Sequence, residues 1–299
     1  SSQPAWNQQN PALHPQGRIF ISKYKSFHTK TKWVSKLVFY KIKSYLCERS
    51  TSKSKAMKTP FKAAGLGAMA LAATACSQQE TQRPNIILIL ADDLGSECIG
   101  CYGGVSYQTP CIDSLARQAI RFENMHAMPL STPSRVQLMT GIYNDRNYVN
   151  FGYMNDDEHT FAHLAQQAGY STAIVGKWQL GRSREMVSKL GFDEWCLCQL
   201  EIYKELAGEK ATDRYAFSYL DNNGRYDFSY YGPDDALRYA FDYIDRQAAA
   251  GKPFLLYYPT PLVHTPHVPT PDSECWTDNP ETRFIHDTRH FPDMVAYLD

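Results

Sequence analysis

A serine and an arginine lie four residues apart in the stretch 131–141, which reads Ser-Thr-Pro-Ser-Arg-Val-Gln-Leu-Met-Thr-Gly. Because Pro133 fixes its own φ and disfavours helix just before it, Ser131 is predicted on extended or turning backbone. Ser134 is typical of a helix N-cap, with Arg135 in the first turn. A helix N-terminus attracts anions, and arginine is a planar cation. The stretch therefore suits a sulfate or phosphate ester; an ordinary capped helix is the alternative.

Two acidic residues follow a continuous apolar run of strand length. Residues 85–90, Asn-Ile-Ile-Leu-Ile-Leu, predict a central parallel strand buried on both faces, and Asp92 and Asp93 come soon after it. Open α/β sheets place their sites at the carboxyl ends of strands. Adjacent carboxylates repel each other, so keeping both ionised favours a hard divalent cation bound by oxygens. A pair of solvated turn acids is the alternative.

Two further buried strands are predicted at residues 171–175 and 254–258, and each also leads to polar groups. The first leads to Lys177, and the second leads to a proline-rich loop that contains His264 and His267. Because parallel strands end at one rim of the sheet, we expect these groups to converge with the acids and the serine. Such a constellation would hold a small oxyanion against a divalent cation.

The pattern Ser-x-Pro-Ser-Arg-x-x-x-(Leu/Met)-Thr-Gly resembles the signature of the formylglycine-dependent (type I) sulfatases of the alkaline phosphatase superfamily, in their serine type. Similar elements cover residues 83–299 in family order. The resemblance implies that a maturase oxidises Ser131 to formylglycine and that Arg135 steadies this residue. It also implies that Asp92, Asp93 and residue 131 bind Ca²⁺.

Two more family motifs supply the other site residues that the resemblance implies. Lys177, in Gly-Lys-Trp-Gln-Leu-Gly, matches a lysine that contacts the sulfate, and His264, in His-x-Pro, matches a histidine that contacts the ester or leaving group. Gln179 replaces a usual histidine, and its amide cannot take a proton near neutral pH. We expect Gln179 and His267 to contact the substrate. Either His264 or His267 then serves as base, or the chemistry is altered, or activity is weak.

The implied activity is hydrolysis of a sulfate ester on a sulfated glycan or an aryl sulfate. One hydroxyl of the hydrated formylglycine attacks sulfur and the alcohol leaves; deprotonation of the second hydroxyl then expels sulfate and restores the aldehyde. One alternative is a phosphate or phosphonate ester hydrolase of the same superfamily that uses unmodified Ser131. Another is an inactive lipoprotein that binds sulfated glycans, a reading supported by Gln179 alone.

Alternating strands and helices predict an α/β fold, and the resemblance makes it an alkaline-phosphatase-like sandwich with a mostly parallel sheet between helices. Further expectations are helices at 112–120, 160–169, 233–250 and 290–299, an edge strand at 121–124 and an irregular, aromatic-rich segment at 191–232. The family's second calcium pair has no counterpart before Asp299. The resemblance therefore predicts a sequence that is incomplete at its C-terminus.

The net charge of zero hides an uneven distribution. Residues 1–76 contain 13 of the 31 basic residues and one of the 31 acidic residues, which leaves 18 and 30 for the rest of the chain. Residues 23–43, basic and aromatic, are typical of a nucleic-acid or membrane-surface arm. We expect no nucleic-acid partner, however, because an export signal follows this segment.

Residues 57–76 resemble a bacterial lipoprotein signal peptide, with Cys76 as the lipidated residue, and their apolar run is too short to span a bilayer. We therefore expect 1–56 to be translated upstream sequence, 77–83 a tether and 84–299 the catalytic domain. The product would be an exported lipoprotein of the periplasm, outer membrane or cell surface, attached to the membrane through its lipid alone. An uncleaved membrane-surface helix is the alternative.

The cysteine spacings Cys98-x-x-Cys101 and Cys196-x-Cys198 lack the second pair of ligands that a zinc site needs. Small buried thiols, or one disulfide, are the favoured interpretation.

Overall fold

The structure, a computed structural model, describes residues 83–181, 183–198, 214–215, 218–221, 226–228 and 230–299. The predicted upstream sequence, signal peptide with Cys76, and most of the tether lie outside these residues. One six-stranded sheet forms the centre, in the order β1-β6-β2-β3-β4-β5. Its strands are β1 Ile86–Leu90, β2 Ser171–Lys177, β3 Glu194–Cys198, β4 Ser218–Asp221, β5 Tyr226–Phe228 and β6 Phe254–Pro259. The first four strands in sheet order are parallel to one another. β4 pairs antiparallel with β3, and β5 pairs antiparallel with β4.

The described helices are α1 Pro110–Ala116, α2 Ser131–Thr140, α3 Asn144–Asn147, α4 Phe161–Gln167, α5 Arg184–Lys189, α6 Gly232–Ala250, α7 Pro280–Arg283 and α8 Phe291–Leu298. Three short 3-10 helices lie at Ser96–Cys98, Gly100–Tyr102 and Thr288–His290. The predicted helices α4, α6 and α8 are confirmed. Thr160 caps α4 by accepting a hydrogen bond from the Ala162 amide, and Gly251 ends α6 in a left-handed conformation.

Alternate side chains of β2 enter two different apolar cores. Ile174 packs into a cluster with Val136 of α2, whereas Ala173 and Val175 pack into another with Ala240 of α6. All five side chains are buried. Because successive strand residues point to opposite faces, helices must cover both sides of the sheet. The predicted α/β arrangement, a mostly parallel sheet between helices, is therefore confirmed.

The prediction that β1 is a central strand buried on both faces is wrong for the part of the chain that the structure describes. In the described sheet, β1 pairs with β6 alone and lies at an edge. Ile86, Ile87 and Ile89 are exposed as a result. A continuous apolar run indicates a strand, but it does not fix where in the sheet the strand lies.

Three other expectations are corrected. The helix predicted at 112–120 is α1, which starts at Pro110 and ends at Ala116, and the edge strand predicted at 121–124 is irregular backbone. Ile120 and Phe122 are exposed there, so their side chains contribute no strand face to the core. The segment 191–232 was expected to be irregular, yet it contains β3, β4 and β5. In β3 the residues Cys196 and Cys198 act as small apolar side chains packed against α6.

Gly176 allows β2 to pass close to β6. Its φ is +122°, and a Cβ at this position would lie 2.3 Å from the carbonyl oxygen of Pro259. We expect Gly176→Ala to lower the free energy of unfolding by roughly 2–4 kcal/mol, because strain and a backbone clash add. Denaturant unfolding of the full-length protein measures this loss.

Gly141 provides the matched control. It also has a positive φ, +68°, but nothing lies within 4 Å of a Cβ built there. Gly141→Ala should cost only about 1 kcal/mol of left-handed strain. Equal losses for the two variants would contradict the close approach of β2 and β6.

Candidate active site

The strands β1, β2 and β6 deliver polar side chains to one rim of the sheet. Asp92 and Asp93 follow β1, Lys177 is the last residue of β2, and His264 lies in the loop after β6. Two backbone hydrogen bonds join the loop after β1 to the loop after β6. Asp92 donates its N–H to Leu262 over 2.8 Å, and its carbonyl accepts from Val263 over 2.9 Å. The loops after β1 and β6 are therefore joined directly through their backbones.

Ser131 is the first residue of α2, whose N-cap is Leu130 in an extended conformation. The predicted N-cap at Ser134 is therefore wrong, because the helix starts three residues earlier. Pro133 fits in the first turn since its missing N–H would have no intrahelical acceptor. The Ser134 hydroxyl oxygen instead lies 2.9 Å from the carbonyl oxygens of both Met128 and Leu130, which share its one donated hydrogen. The hydroxyl of Ser131 thus lies at the helix N-terminus itself.

A buried ionic network starts from Ser131. Arg135 donates from Nε to the Ser131 Oγ over 3.0 Å and from Nη1 to the Lys177 carbonyl over 3.2 Å. Its Nη2 lies 3.4 Å from Asp92 Oδ1, and Lys177 Nζ lies 2.5 Å from Asp92 Oδ2. Asp92, Arg135 and Lys177 are at most 4% exposed. One carboxylate therefore pairs with two cations, and one of them, Arg135, also bonds to the serine.

Burial lowers the pKa of Lys177 from its usual value to about 8. Removal from water is the main cause; the nearby Asp92 carboxylate opposes it, and the Arg135 cation adds to it. Lys177 therefore holds its proton less firmly than a surface lysine does. An anion bound against its Nζ would strengthen its hold on the proton.

His264 lies between a carboxylate and a carbonyl. Its Nε2 is 3.2 Å from Asp93 Oδ2, and its Nδ1 is 2.6 Å from the carbonyl oxygen of Thr265. Burial lowers the pKa of His264. Both neighbours are acceptors, so a proton on Nδ1 would satisfy the carbonyl and a second proton on Nε2 would satisfy the Asp93 carboxylate. Asp93 has a positive φ of 57°, and its side chain is 58% exposed.

Gln179 and His267 lie around this network. Gln179 has a φ of 55°, and its carbonyl is 3.5 Å from the Oγ1 of Thr132, the residue after Ser131. Its buried Oε1 has no hydrogen-bond partner among the described residues. The His267 ring packs against His286 and Phe291, and burial lowers its pKa. Gln179 thus adjoins the residue after Ser131, whereas the His267 ring packs against His286 and against the first residue of α8. Their substrate contacts stay predictions.

Sequence reasoning missed Arg214 and Tyr215. The Tyr215 hydroxyl lies 3.1 Å from the carbonyl oxygen of Pro261 and 2.5 Å from that of His264, and Arg214 donates from Nη1 to Thr265 over 3.2 Å. Both residues come from the segment expected to be irregular. An arginine followed by a tyrosine carries no motif, so the sequence alone gave no signal of this placement.

The described residues offer part of a metal site. Asp92 and Asp93 supply the oxygen donors that Ca²⁺ prefers, but Ca²⁺ takes six to eight oxygens. Among the described residues, no group of three or more His, Cys, Asp or Glu side chains could hold a metal ion. The chemistry of the donors fits Ca²⁺, and their number falls short of a full shell.

The six described cysteines are free thiols, namely Cys98, Cys101, Cys111, Cys196, Cys198 and Cys275. Of the two expectations, buried thiols or one disulfide, the first holds for Cys98, Cys196 and Cys198, whereas Cys101 is only partly buried.

No helix in the described part of the chain combines the length and the apolar character needed to cross a membrane.

Comparisons with known proteins identify the family. The Sulfatase family model matches residues 84–299. The chain is 34% identical over 211 residues to the N-acetylglucosamine-6-O-sulfatase of Bacteroides thetaiotaomicron, a match that covers 69% of this chain and 35% of the relative. It is 33% identical over 234 residues to the N-acetylgalactosamine-6-sulfatase of Canis lupus familiaris, covering 68% and 42%. The chain therefore belongs to the sulfatase family, the type I sulfatases of the alkaline phosphatase superfamily.

Solved structures agree with this assignment. A protein in complex with its substrate D-glucosamine-2-N,6-O-disulfate matches with a TM-score of 0.54 and 32% identity, over 63% of this chain and 36% of that one. Ps i-CgsB matches with a TM-score of 0.57 and 27% identity, over 73% and 54%. The predicted alkaline-phosphatase-like fold is thus confirmed. The matched part of the chain spans between a third and somewhat over two fifths of the two curated relatives.

Removal of the Asp92 carboxylate tests the buried network. We expect Asp92→Asn to lower the free energy of unfolding by about 3–5 kcal/mol, because Lys177 and Arg135 would be left buried without their counter-charge. The exposed neighbour provides the control: Asp93→Asn should change stability by less than about 1 kcal/mol. Denaturant unfolding in calcium-free buffer measures both, and a small loss for Asp92→Asn would contradict the network.

Proposed function

We propose that this protein hydrolyses a sulfate monoester, R–O–SO₃⁻, with water to the alcohol and sulfate. The observation that carries the proposal is the Ser131 hydroxyl at the N-terminus of α2, bonded to Arg135, which shares the Asp92 carboxylate with the buried Lys177. A helix N-terminus beside a network with two buried cations suits a sulfate group. Membership of the sulfatase family supports the same reaction.

Formylglycine at position 131 would supply an oxygen nucleophile together with a route for sulfate to leave. The residues of this chain would orient and neutralise the reacting groups. Arg135 already donates from Nε to the side-chain oxygen at 131, so it would fix the direction of that oxygen. Its Nη2 is held by Asp92 and its Nη1 by the Lys177 carbonyl, so the guanidinium has little freedom to turn.

Lys177 would bind the sulfate oxygens. In the structure its Nζ contacts Asp92, and burial weakens its hold on its proton. A sulfate oxygen near Nζ would add a second negative neighbour and favour the charged ammonium. A bound sulfate would therefore stabilise the charged form of Lys177, the side chain that binds it.

His264 would move the proton to the leaving alcohol. Its Nδ1 is held by the carbonyl oxygen of Thr265, and its Nε2 lies 3.2 Å from Asp93 Oδ2. When the S–O bond to the alcohol breaks, the alcohol oxygen gains a proton from Nε2, and water later replaces that proton. The adjacent Asp93 carboxylate would stabilise the protonated imidazole before this transfer.

Calcium is the metal that the donor set at this rim fits. Asp92, Asp93 and the side-chain oxygen at 131 would hold it, with further oxygen ligands needed to complete its shell. Bound Ca²⁺ would supply positive charge that helps to neutralise the sulfate. In this proposal a serine-type maturase modifies Ser131, and the protein is exported and attached to a membrane through a lipid on Cys76.

A sulfated carbohydrate is the proposed substrate class. Both curated relatives described above are named for sulfates of N-acetylated amino sugars, and the ligand in the solved relative is a doubly sulfated glucosamine. The match to human steryl-sulfatase is 44% identical but covers only 34% of this chain. Sulfated glycans are therefore favoured over aryl or steryl sulfates.

The state of residue 131 tests the reaction. In full-length protein from a host with a serine-type maturase, we expect the peptide that contains Ser131 to lack two hydrogen atoms by mass spectrometry. Ser131→Ala should lower the rate of sulfate release at least about 10³-fold, because the nucleophile is lost. Ser188→Ala, on the exposed side of α5, is the control and should keep full activity.

Other outcomes of this experiment favour the alternatives. An unmodified serine, with release of phosphate from phosphate esters, would point to a phosphoryl ester hydrolase. Modified protein that binds sulfated sugars but never releases sulfate would point to a glycan-binding protein, with Gln179 as the first residue to exchange for histidine.

Calcium binding has a readout that does not depend on activity. We expect Ca²⁺ at about 100 times its Kd to raise the thermal unfolding midpoint of metal-stripped full-length protein by roughly 5–10 °C. Asp93→Asn should abolish most of this rise, whereas Asp157→Asn, at an exposed turn, should keep it. The proposal fails if Ca²⁺ does not shift the midpoint of the unaltered protein, or shifts it equally in Asp93→Asn.

A further inference from the structure

Arg214 is a cation beside the candidate active site that the proposed reaction does not use. Its Nη1 donates to the carbonyl oxygen of Thr265 over 3.2 Å, and His264 Nδ1 contacts the same oxygen over 2.6 Å. The guanidinium and the imidazole are therefore neighbours across one carbonyl group. A group bound against His264 would lie close to Arg214.

The backbone at Arg214 is anchored through the next residue. Tyr215 is fully buried, its ring stacks on Tyr231 with centroids 5.9 Å apart, and its hydroxyl contacts the carbonyls of Pro261 and His264. Residues 214 and 215 thus bind the same loop, the one that carries His264. The position of the guanidinium is set by the buried tyrosine and by the Thr265 carbonyl together.

Arg214 has unused donors. A guanidinium carries five N–H groups, and within the described residues the acceptor it contacts is the Thr265 carbonyl. Its buried Nε has no hydrogen-bond partner there, and no described carboxylate forms an ion pair with it. Lys177 and Arg135, in contrast, both pair with Asp92.

We propose that Arg214 binds a second anionic group of the substrate, a sulfate or a carboxylate, next to the ester sulfate held by Lys177 and His264. The fork of N–H donors matches the oxygens of either group. This inference rests on the proposed function and narrows it: the preferred substrate is a glycan with two negative groups on the same or adjacent sugars. Arg214 then determines specificity rather than the chemical step.

The test compares substrates that share one 6-O-sulfate and differ in their second group. The substrates are N-acetyl-D-glucosamine-6-O-sulfate, D-glucosamine-2-N,6-O-disulfate and a disaccharide in which glucuronic acid is linked to the 6-O-sulfated N-acetylglucosamine. Steady-state kinetics of the full-length protein give kcat/KM for each substrate. The ratio of each doubly charged substrate to the singly charged one measures discrimination, and the two ratios distinguish sulfate from carboxylate.

We expect Arg214→Gln to lower at least one of these ratios about 10- to 100-fold, mainly through KM, because a charge-assisted hydrogen bond is lost. Arg214→Lys should retain part of the discrimination, because lysine keeps the positive charge but lacks the paired N–H donors of the guanidinium. Arg238→Gln is the matched control: this arginine is 67% exposed on α6 and pairs with Asp235, so its ratios should equal those of the unaltered protein.

Equal losses on all three substrates would overturn the inference, since Arg214 would then only support the Thr265 carbonyl. If the unaltered protein hydrolyses none of them, calorimetric binding of the three compounds decides the inference, and the test at residue 131 decides the proposed reaction. The inference is upheld if Arg214→Gln lowers the affinity for the doubly charged ligands about tenfold or more relative to the affinity for the singly charged one. Unchanged relative affinities would overturn it.

Discussion

The pairing of Asp92 with two buried cations is the constraint on which the rest of the site depends. Lys177 and Arg135 reach it from β2 and α2, and its own backbone is hydrogen-bonded to the loop after β6. Three separate parts of the chain therefore meet at one carboxylate. Buried charges are costly unless they are paired, so the sheet can bring these cations together only while the carboxylate is present. Burial lowers the pKa of Lys177 while the Asp92 carboxylate raises it, so the carboxylate helps to keep this buried cation charged.

The start of α2 at Ser131 connects this network to chemistry. A helix that began at Ser134 would leave Ser131 on a loop without a fixed relation to the helix N–H groups. With Ser131 in the first helical position, its hydroxyl lies one turn from Arg135 and next to the anion-attracting end of the helix. Helix geometry therefore sets the distance between the serine and the arginine, and Asp92 sets the direction of the arginine.

The residues of the site could be predicted from the sequence better than the bounds and positions of the elements that carry them. Apolar runs predicted β1, β2 and β6, and the rule that parallel strands end at one rim brought Asp92, Lys177 and His264 together. The position of β1 in the sheet was missed because pairing partners are not encoded in one strand. The start of α2 was missed because Pro133 reads as a break, although a first turn accepts it. β3 was missed because its five residues, Glu-Trp-Cys-Leu-Cys, form a run too short to be assigned by its pattern alone. Arg214 reaches the site through Tyr215 and a loop carbonyl, contacts that no local pattern announces.

The central claim is that one small oxyanion is bound between residue 131, Lys177 and His264. A crystal structure of the full-length, metal-loaded protein soaked with inorganic sulfate tests it most directly. The predicted result is a sulfate with oxygens within hydrogen-bond distance, about 2.7–3.2 Å, of Lys177 Nζ and His264 Nε2, beside the side chain at 131. A sulfate bound elsewhere, with Lys177 still directed only at Asp92 and nothing against residue 131, would contradict it.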